Sequence, residues 1–176
     1  EKGPLTVCQV VQYNAGPIQY FGVLRDYRNP ELKSARASVV FPSARHTYDA
    51  LDGKYFGQVD RAETTLSPGE ARIFSRLAYQ VRSVAAALPG RVKPGAEVRY
   101  KVTLDTAGAK PGLHVVHVEV TGPDGEARPC YSQNVNVDGG QGEGAFALAL
   151  NDKAGHWSLR LRDAATGVTG QAVFDV

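Results

Sequence analysis

Residues 47–78 read TYDALDGKYFGQVDRAETTLSPGEARIFSRLA, and this stretch decides the fold. Asp52-Gly53 is a favoured hairpin turn between two short strands. Residues 67–70, Ser-Pro-Gly-Glu, form a second turn, after which residues 71–78 begin another apolar strand. Strands that follow one another through tight turns predict an all-β module, and no catalytic motif is evident within it.

The sequence before this stretch continues the same two-residue period. Strands are predicted over residues 5–13 and 18–24, and the turn at residues 14–17 would join them as a hairpin. A further strand over residues 37–41 is predicted to end at Pro42, because proline cannot donate to a sheet ladder. These strands define a first all-β sandwich domain at residues 1–80.

Residues 81–176 carry turn signals every 8–12 residues, and about seven strands lie between them. This spacing predicts a second β-sandwich of the Ig-like or fibronectin-like kind, with Trp157 as a core anchor. The Cys-Trp-Cys spacing of antibody domains is absent, so the pattern indicates the architecture and not that family. The short linker near residues 79–83 has little Gly or Ser, so we expect two tandem domains that pack together.

Three further expectations concern two residues and one glycine-rich segment of the second domain. Leu150 is predicted to face inward, as the alternation with Phe146 and Leu148 continues. His114 lies on an apolar strand face and is expected to be a hydrogen-bonded core histidine. Residues 139–144, Gly-Gly-Gln-Gly-Glu-Gly, are interpreted as a flexible connection between strands, since they do not open a helix that could hold phosphate.

Charge and hydropathy exclude several partners. The net charge of the 176 residues is +2, without a basic stripe, which argues against nucleic-acid binding. No apolar run approaches the roughly 20 residues of a membrane span. The sequence has no Met. We therefore expect a processed product or a piece of a longer protein.

The residues that could carry chemistry form no recognised catalytic motif. The sequence has no nucleophile elbow, phosphate loop or paired-histidine zinc motif. Its carboxylates are scattered at turns, and Asp124, Asp152 or Asp163 could join a structural calcium site, since calcium binds loop oxygens. No other cofactor or metal site is predicted, because neither cysteine has a second ligand at metal spacing.

Tyrosines and cysteines leave alternatives open. Exposed tyrosine rings can stack on sugar rings, and Tyr20, Tyr48 and Tyr55 are the candidate glycan contacts. The alternative is that these are half-buried strand residues with wet hydroxyls. Cys8 and Cys130 could form an interdomain or intersubunit disulfide in an oxidising compartment, or they could be buried free thiols.

Several stretches, taken in order, resemble a known group of proteins. Residues 18–26 (IQYFGVLRD), 48–57 (YDALDGKYFG) and 65–74 (TLSPGEARIF) resemble the C-terminal all-β domains of bacterial glycoside hydrolases of the β-galactosidase and α-amylase type. Residues 112–120, 131–135 and 149–155 are similar to an Ig-like module that follows in some large bacterial proteins with β-galactosidase-trimerisation-like segments. The resemblance implies accessory domains without the catalytic barrel, so no catalytic residue carries over.

These observations predict a non-catalytic accessory region of an extracellular or periplasmic carbohydrate-active protein from a bacterium. Its role would be domain packing, oligomerisation or glycan contact, and its partner would be the missing catalytic domain or copies of itself. One alternative is a mature subunit of a filament or adhesin that assembles through strand edges. A second alternative is a stand-alone carbohydrate-binding module with affinity for polysaccharide.

Overall fold

The computed structural model describes residues 7–28, 31 and 33–176. These residues form twelve β-strands in three antiparallel sheets, which confirms the all-β class. In this described part, no helix has the length and apolarity needed to cross a membrane. The chain divides into two compact units, residues 1–79 and 80–176. Their interpretation as two tandem sandwich domains that pack together stays a prediction.

Unit 1 is built on one five-stranded sheet in the order β1-β2-β5-β3-β4. Its strands are β1 (Cys8–Ala15), β2 (Ile18–Arg25), β3 (Ala35–Asp49), β4 (Lys54–Leu66) and β5 (Ala71–Leu77). β1 and β2 form the predicted hairpin, in which Ala15 pairs with Ile18 across a two-residue loop. The first two residues of the predicted 5–13 strand lie outside the described residues, and β1 continues two residues beyond its predicted end.

The prediction that Pro42 ends a strand is wrong. β3 runs through this proline for fifteen residues, and its pairing with β4 shifts register between Val40 and Arg45. A bulge at this point leaves backbone groups out of the ladder, so a proline is tolerated there. The bulge lets β3 pair with β4 along both of its halves, while only residues 46–49 also pair with β5.

The core of unit 1 is aromatic and contains a buried arginine. The buried cluster consists of Phe21, Val23, Phe41, Ala62, Leu66 and Phe74. Arg76 is fully buried, and its guanidinium lies 4.4 Å from the centre of the Phe41 ring and 5.6 Å from that of Phe21. Burial lowers the pKa of Arg76, and the neighbouring charge of Arg45 lowers it further. The strand pattern gave no signal of this buried cation.

Unit 2 holds seven strands, as the turn spacing predicts. They are β6 (Tyr79–Ala87), β7 (Glu97–Gly108), β8 (His114–Thr121), β9 (Gln133–Val137), β10 (Gln141–Ala147), β11 (His156–Asp163) and β12 (Thr169–Asp175). β6 begins at the last residue of unit 1. A three-stranded sheet has the order β10-β7-β6, and a four-stranded sheet has the order β12-β11-β8-β9.

The inward-facing side chains, which alternate along these strands, form the core of unit 2. Trp157 is 1% exposed, as expected of a core anchor, and its indole N–H donates to the Lys153 carbonyl at 3.1 Å. Leu150 is 87% exposed, so the prediction of an inward side chain is wrong. β10 ends at Ala147, and Leu150 lies in the turn that follows, where the two-residue period no longer applies.

The interpretation of residues 139–144 as a flexible connection is only half right. Residues 139 and 140 turn the chain, but Gly142 and Gly144 belong to β10. A Cβ at Gly144 would lie 2.4 Å from the buried Tyr100 ring, and one at Gly142 would lie 2.5 Å from the Asn136 carbonyl oxygen. Glycine at these positions therefore permits close packing of β10.

Candidate functional site

A row of tyrosines crosses the sheet of unit 1 from one edge to the other. Tyr13 of β1 pairs with Tyr20 of β2, which pairs with Ser75 of β5. Ser75 pairs with Tyr48 of β3, and Tyr48 pairs with Tyr55 of β4. Directly paired residues project to the same face of a sheet, so the register places the three predicted glycan contacts in one line with Tyr13.

The rings of this tyrosine row contact one another in two pairs. Tyr13 stacks on Tyr20 with ring centres 4.8 Å apart and an interplanar angle of 11°. Tyr48 and Tyr55 have ring centres 4.7 Å apart at 31°. The Tyr55 hydroxyl lies 2.6 Å from Nδ1 of His46, which holds the ring in place. Burial raises the pKa of Tyr55 above the ordinary value of a tyrosine.

Exposure differs sharply along the row. Tyr13 is 57% exposed and Tyr55 is 38% exposed, whereas Tyr48 is 1% exposed. Tyr48 therefore cannot stack on a sugar, and its designation as a glycan contact is corrected. Of the two end rings, Tyr13 contacts Tyr20, whereas Tyr55 contacts both Tyr48 and His46. Four strand spacings of about 4.8 Å place these end rings roughly 19 Å apart.

Tyr13 belongs to the tyrosines that cluster in the first domain, but it is not among the three glycan contacts predicted from the sequence. The signal was available, because the register of a hairpin with a two-residue loop follows from the loop itself. Counting back from the Ala15–Ile18 pair places Tyr13 opposite Tyr20. Alignment with the β3–β4 tyrosines required the non-sequential order β2-β5-β3, which the sequence did not reveal.

Three acidic residues of the 47–78 stretch surround one arginine. Arg72 contacts Asp49, Asp52 and Glu70 beside a cavity of about 480 Å³. Asp49 is 3% exposed, and its Oδ1 accepts from the backbone N–H groups of Leu51 and Asp52. Asp49 thus organises the β3–β4 turn.

The second turn of the stretch is also closed by a carboxylate. Glu70 Oε2 accepts from the backbone N–H of Ser67 at 2.8 Å. This bond, followed by the Ser67 hydroxyl and Arg72, lowers the pKa of Glu70. The charged groups of both turns therefore hold backbone geometry in unit 1.

Unit 2 contains a buried array of a histidine, a carboxylate and a hydroxyl. Nδ1 of His114 lies 2.8 Å from Oδ1 of Asp163, and both side chains are fully buried. Oδ2 of Asp163 accepts from the hydroxyl of Thr166 at 2.5 Å and from its backbone N–H at 3.1 Å. His114 is thus the hydrogen-bonded core histidine that the sequence predicts, and the array fastens the turn after β11.

The carboxylates proposed for calcium have other partners. Asp124 pairs with Arg128 and Lys153, and the Arg128 hydrogen bond is the main reason that its pKa falls to about 2. Asp152 accepts from the Tyr131 hydroxyl at 2.6 Å. Among the described residues, no three His, Cys, Asp or Glu side chains come together as a metal site.

Cys8 and Cys130 are both free cysteines. Their pairing in an interdomain or intersubunit disulfide stays a prediction. Cys8 is half-buried beside the unit 1 core, and Cys130 is exposed.

No family model matches the sequence, and no curated protein matches it. Several solved structures with partial similarity are glycoside hydrolases. A β-glucosidase from Listeria innocua is 13% identical, with a TM-score of 0.38 over 62% of this chain and 17% of its own. A putative β-galactosidase from Bacteroides fragilis is 12% identical, with a TM-score of 0.37 over 91% and 32%. A β-glucuronidase from Bacteroides uniformis is 8% identical, with a TM-score of 0.31 over 91% and 26%. The chain thus spans about a third or less of each.

Proposed function

We propose that this chain is a non-catalytic accessory region of a secreted bacterial carbohydrate-active protein, and that unit 1 contacts glycan. The tyrosine row is the observation that carries the proposal. Its end residues, Tyr13 and Tyr55, are 57% and 38% exposed, and each ring contacts a neighbouring tyrosine ring. A rigid, half-exposed aromatic ring loses little entropy on binding and offers an apolar face to a sugar ring.

The buried and half-buried carboxylates and histidine support an accessory role. Asp49 and Glu70 hold turns, and His114 and Asp163 are sealed in a core. Each of these groups is already committed to hydrogen bonds that maintain the fold. Two further points belong to the same proposal: the Ig-like character of unit 2, which the turn spacing predicts, and a location outside the cytoplasm, which the resemblance implies.

Binding to a panel of soluble polysaccharides tests the glycan contact. We expect Tyr13→Ala and Tyr55→Ala each to weaken binding about 2- to 10-fold, the range of one aromatic contact. Tyr27→Ala is the matched control, because Tyr27 is 72% exposed and lies outside the row. Titrations that stay flat across the panel, or equal losses in all three variants, would refute the contact.

The accessory role has a separate test in the gene. We expect the reading frame upstream of the Glu1 codon to encode a catalytic domain. A frame that encodes only a signal peptide there would refute the accessory role and favour a stand-alone carbohydrate-binding module or a processed subunit.

A subunit that assembles through strand edges is the second candidate function. The exposed apolar residues of β1 favour it, since Val10 and Val11 are 63% and 62% exposed at a sheet edge. Open assembly into filaments requires two different surfaces that join head to tail. Electron microscopy of the concentrated chain distinguishes filaments from discrete particles.

A further inference from the structure

β1 is an edge strand without the usual protection. It pairs with β2 on one side, and no other strand of the described residues pairs with its outer side. Its sequence, CQVVQYNA, has no charge and no proline, and its pairing with β2 is regular over all eight residues. Natural edge strands are commonly guarded by lysine, proline or a bulge. β1 is therefore open to the addition of another strand.

The register determines which backbone groups face outward. The Asp26 N–H donates to the Val7 carbonyl at 2.9 Å, so these two residues form a hydrogen-bonded pair of the antiparallel ladder. Hydrogen-bonded and non-hydrogen-bonded pairs alternate. The odd-numbered residues of β1 thus direct their N–H and C=O groups to β2. Those of Cys8, Val10, Gln12 and Asn14 point away from the sheet.

We propose that β1 pairs antiparallel with β1 of a second copy of this chain, about a twofold axis at Val11. Outward-facing residues can exchange hydrogen bonds only with one another, so even-numbered residues must pair with even-numbered residues. When the axis lies at Val11, Cys8 pairs with Asn14 of the other copy, and Val10 pairs with Gln12 of the other copy. With their symmetry mates, these make four exchange pairs and eight backbone hydrogen bonds.

Registers with the axis one residue to either side form fewer hydrogen bonds within β1. Centring the axis on Val10 or on Gln12 leaves three exchange pairs and six hydrogen bonds. A register that pairs all eight residues would place even-numbered residues opposite odd-numbered ones. The outward N–H and C=O groups of one strand would then have no outward groups opposite them on the other strand. The Val11 register therefore uses the outward groups of β1 most fully.

The self-complementary register favours a second copy as the occupant, the lack of charge on β1 permits it, and the small area sets its affinity. Two uncharged strands meet no like-charge repulsion across the axis. Seven paired residues extend about 24 Å, and a sheet layer about 10 Å thick gives an interface of roughly 500 Å² over both copies. This area lies below the roughly 1,200 Å² of standard interfaces, so we expect a weak dimer that forms as concentration rises.

Disulfide trapping tests the register directly. On a Cys8→Ser, Cys130→Ser background, Val11→Cys places two thiols opposite each other across the axis. Such a non-hydrogen-bonded pair has Cα atoms about 4.5 Å apart, within the range that a disulfide spans. We expect mild oxidation to yield a covalent dimer of this variant. Gln9→Cys and Tyr13→Cys should each stay monomeric alone and cross-link when mixed, since residue 9 faces residue 13 of the other copy.

Sedimentation of the intact chain from about 10 µM to about 1 mM tests dimerisation itself. We expect a monomer–dimer equilibrium that Val10→Lys weakens at least about tenfold, because lysine guards edges. Val40→Lys is the matched control, since Val40 is 64% exposed and lies on an interior strand. A strictly monomeric chain, equal dimerisation of both lysine variants, open-ended oligomers or no preference for the Val11→Cys bridge would each overturn the proposal. None of these results depends on glycan binding or on the accessory role.

Discussion

Removal of the Asp163 carboxylate should destabilise unit 2 severely. Asp163→Ala deprives Nδ1 of His114, the Thr166 hydroxyl and the Thr166 backbone N–H of their acceptor, and the Asp163 and His114 side chains are fully buried. Loss of one partner of a buried pair costs about 3–5 kcal/mol. For a unit of this size, about 4 kcal/mol lowers the Tm by roughly 15–30 °C.

Urea denaturation followed by tryptophan fluorescence measures this effect. The sequence has one tryptophan, Trp157, which lies in the core of unit 2 and reports on its unfolding. Asp105→Ala is the control, because Asp105 is exposed on β7 and its loss should stay within about 0.5 kcal/mol. Thr166→Val should fall between the two, at about 1–2 kcal/mol, because the backbone N–H bond remains. A loss below about 1 kcal/mol for Asp163→Ala would refute the role assigned to this array.

Two smaller perturbations test other parts of unit 2. Gly144→Ala should lower the free energy of unfolding by about 1–3 kcal/mol in urea denaturation, because its Cβ would meet the Tyr100 ring. Gly90→Ala is the control and should lower it by less than about 1 kcal/mol, since Gly90 has open space around it. Equal losses would contradict the packing argument. In an NMR titration, Asp124 should show a pKa of about 2, and Arg128→Leu should return it toward 3.8. Because folding depresses this pKa, the associated stability is present above about pH 4 and is lost as the pH falls towards 2; a wild-type pKa near 3.8 would contradict the Arg128 contact.

The tyrosine row and the β1 edge meet at Tyr13. Pairing of β1 with a second copy places Gln9 of the other copy beside the Tyr13 ring and covers the face that would stack on a sugar. Glycan binding at Tyr13 and dimerisation should therefore compete, while Tyr55 at the opposite edge stays open in both states. Saturating glycan should accordingly shift the sedimentation equilibrium towards monomer.

The candidate site was only partly predictable. Three of its four tyrosines were chosen from the sequence, because an aromatic residue in a strand signals either packing or stacking. The exposure of the ring decides between packing and stacking. Tyr48 is buried, whereas Tyr55 is 38% exposed. Both residues are tyrosines in strands, and they pair with each other on adjacent strands. The local sequence pattern therefore does not indicate which of the two rings is buried.

The amino-acid sequence by itself determined the all-β class, most strand positions and the face of most side chains. These properties depend on the two-residue period and on turn residues, which act over a few positions. Tertiary structure alone decided that β3 continues through Pro42, that β5 separates β2 from β3, and that Arg76 lies among aromatic rings. Such features arise from pairing and packing between residues distant in sequence, where the free energy of burial outweighs local preference.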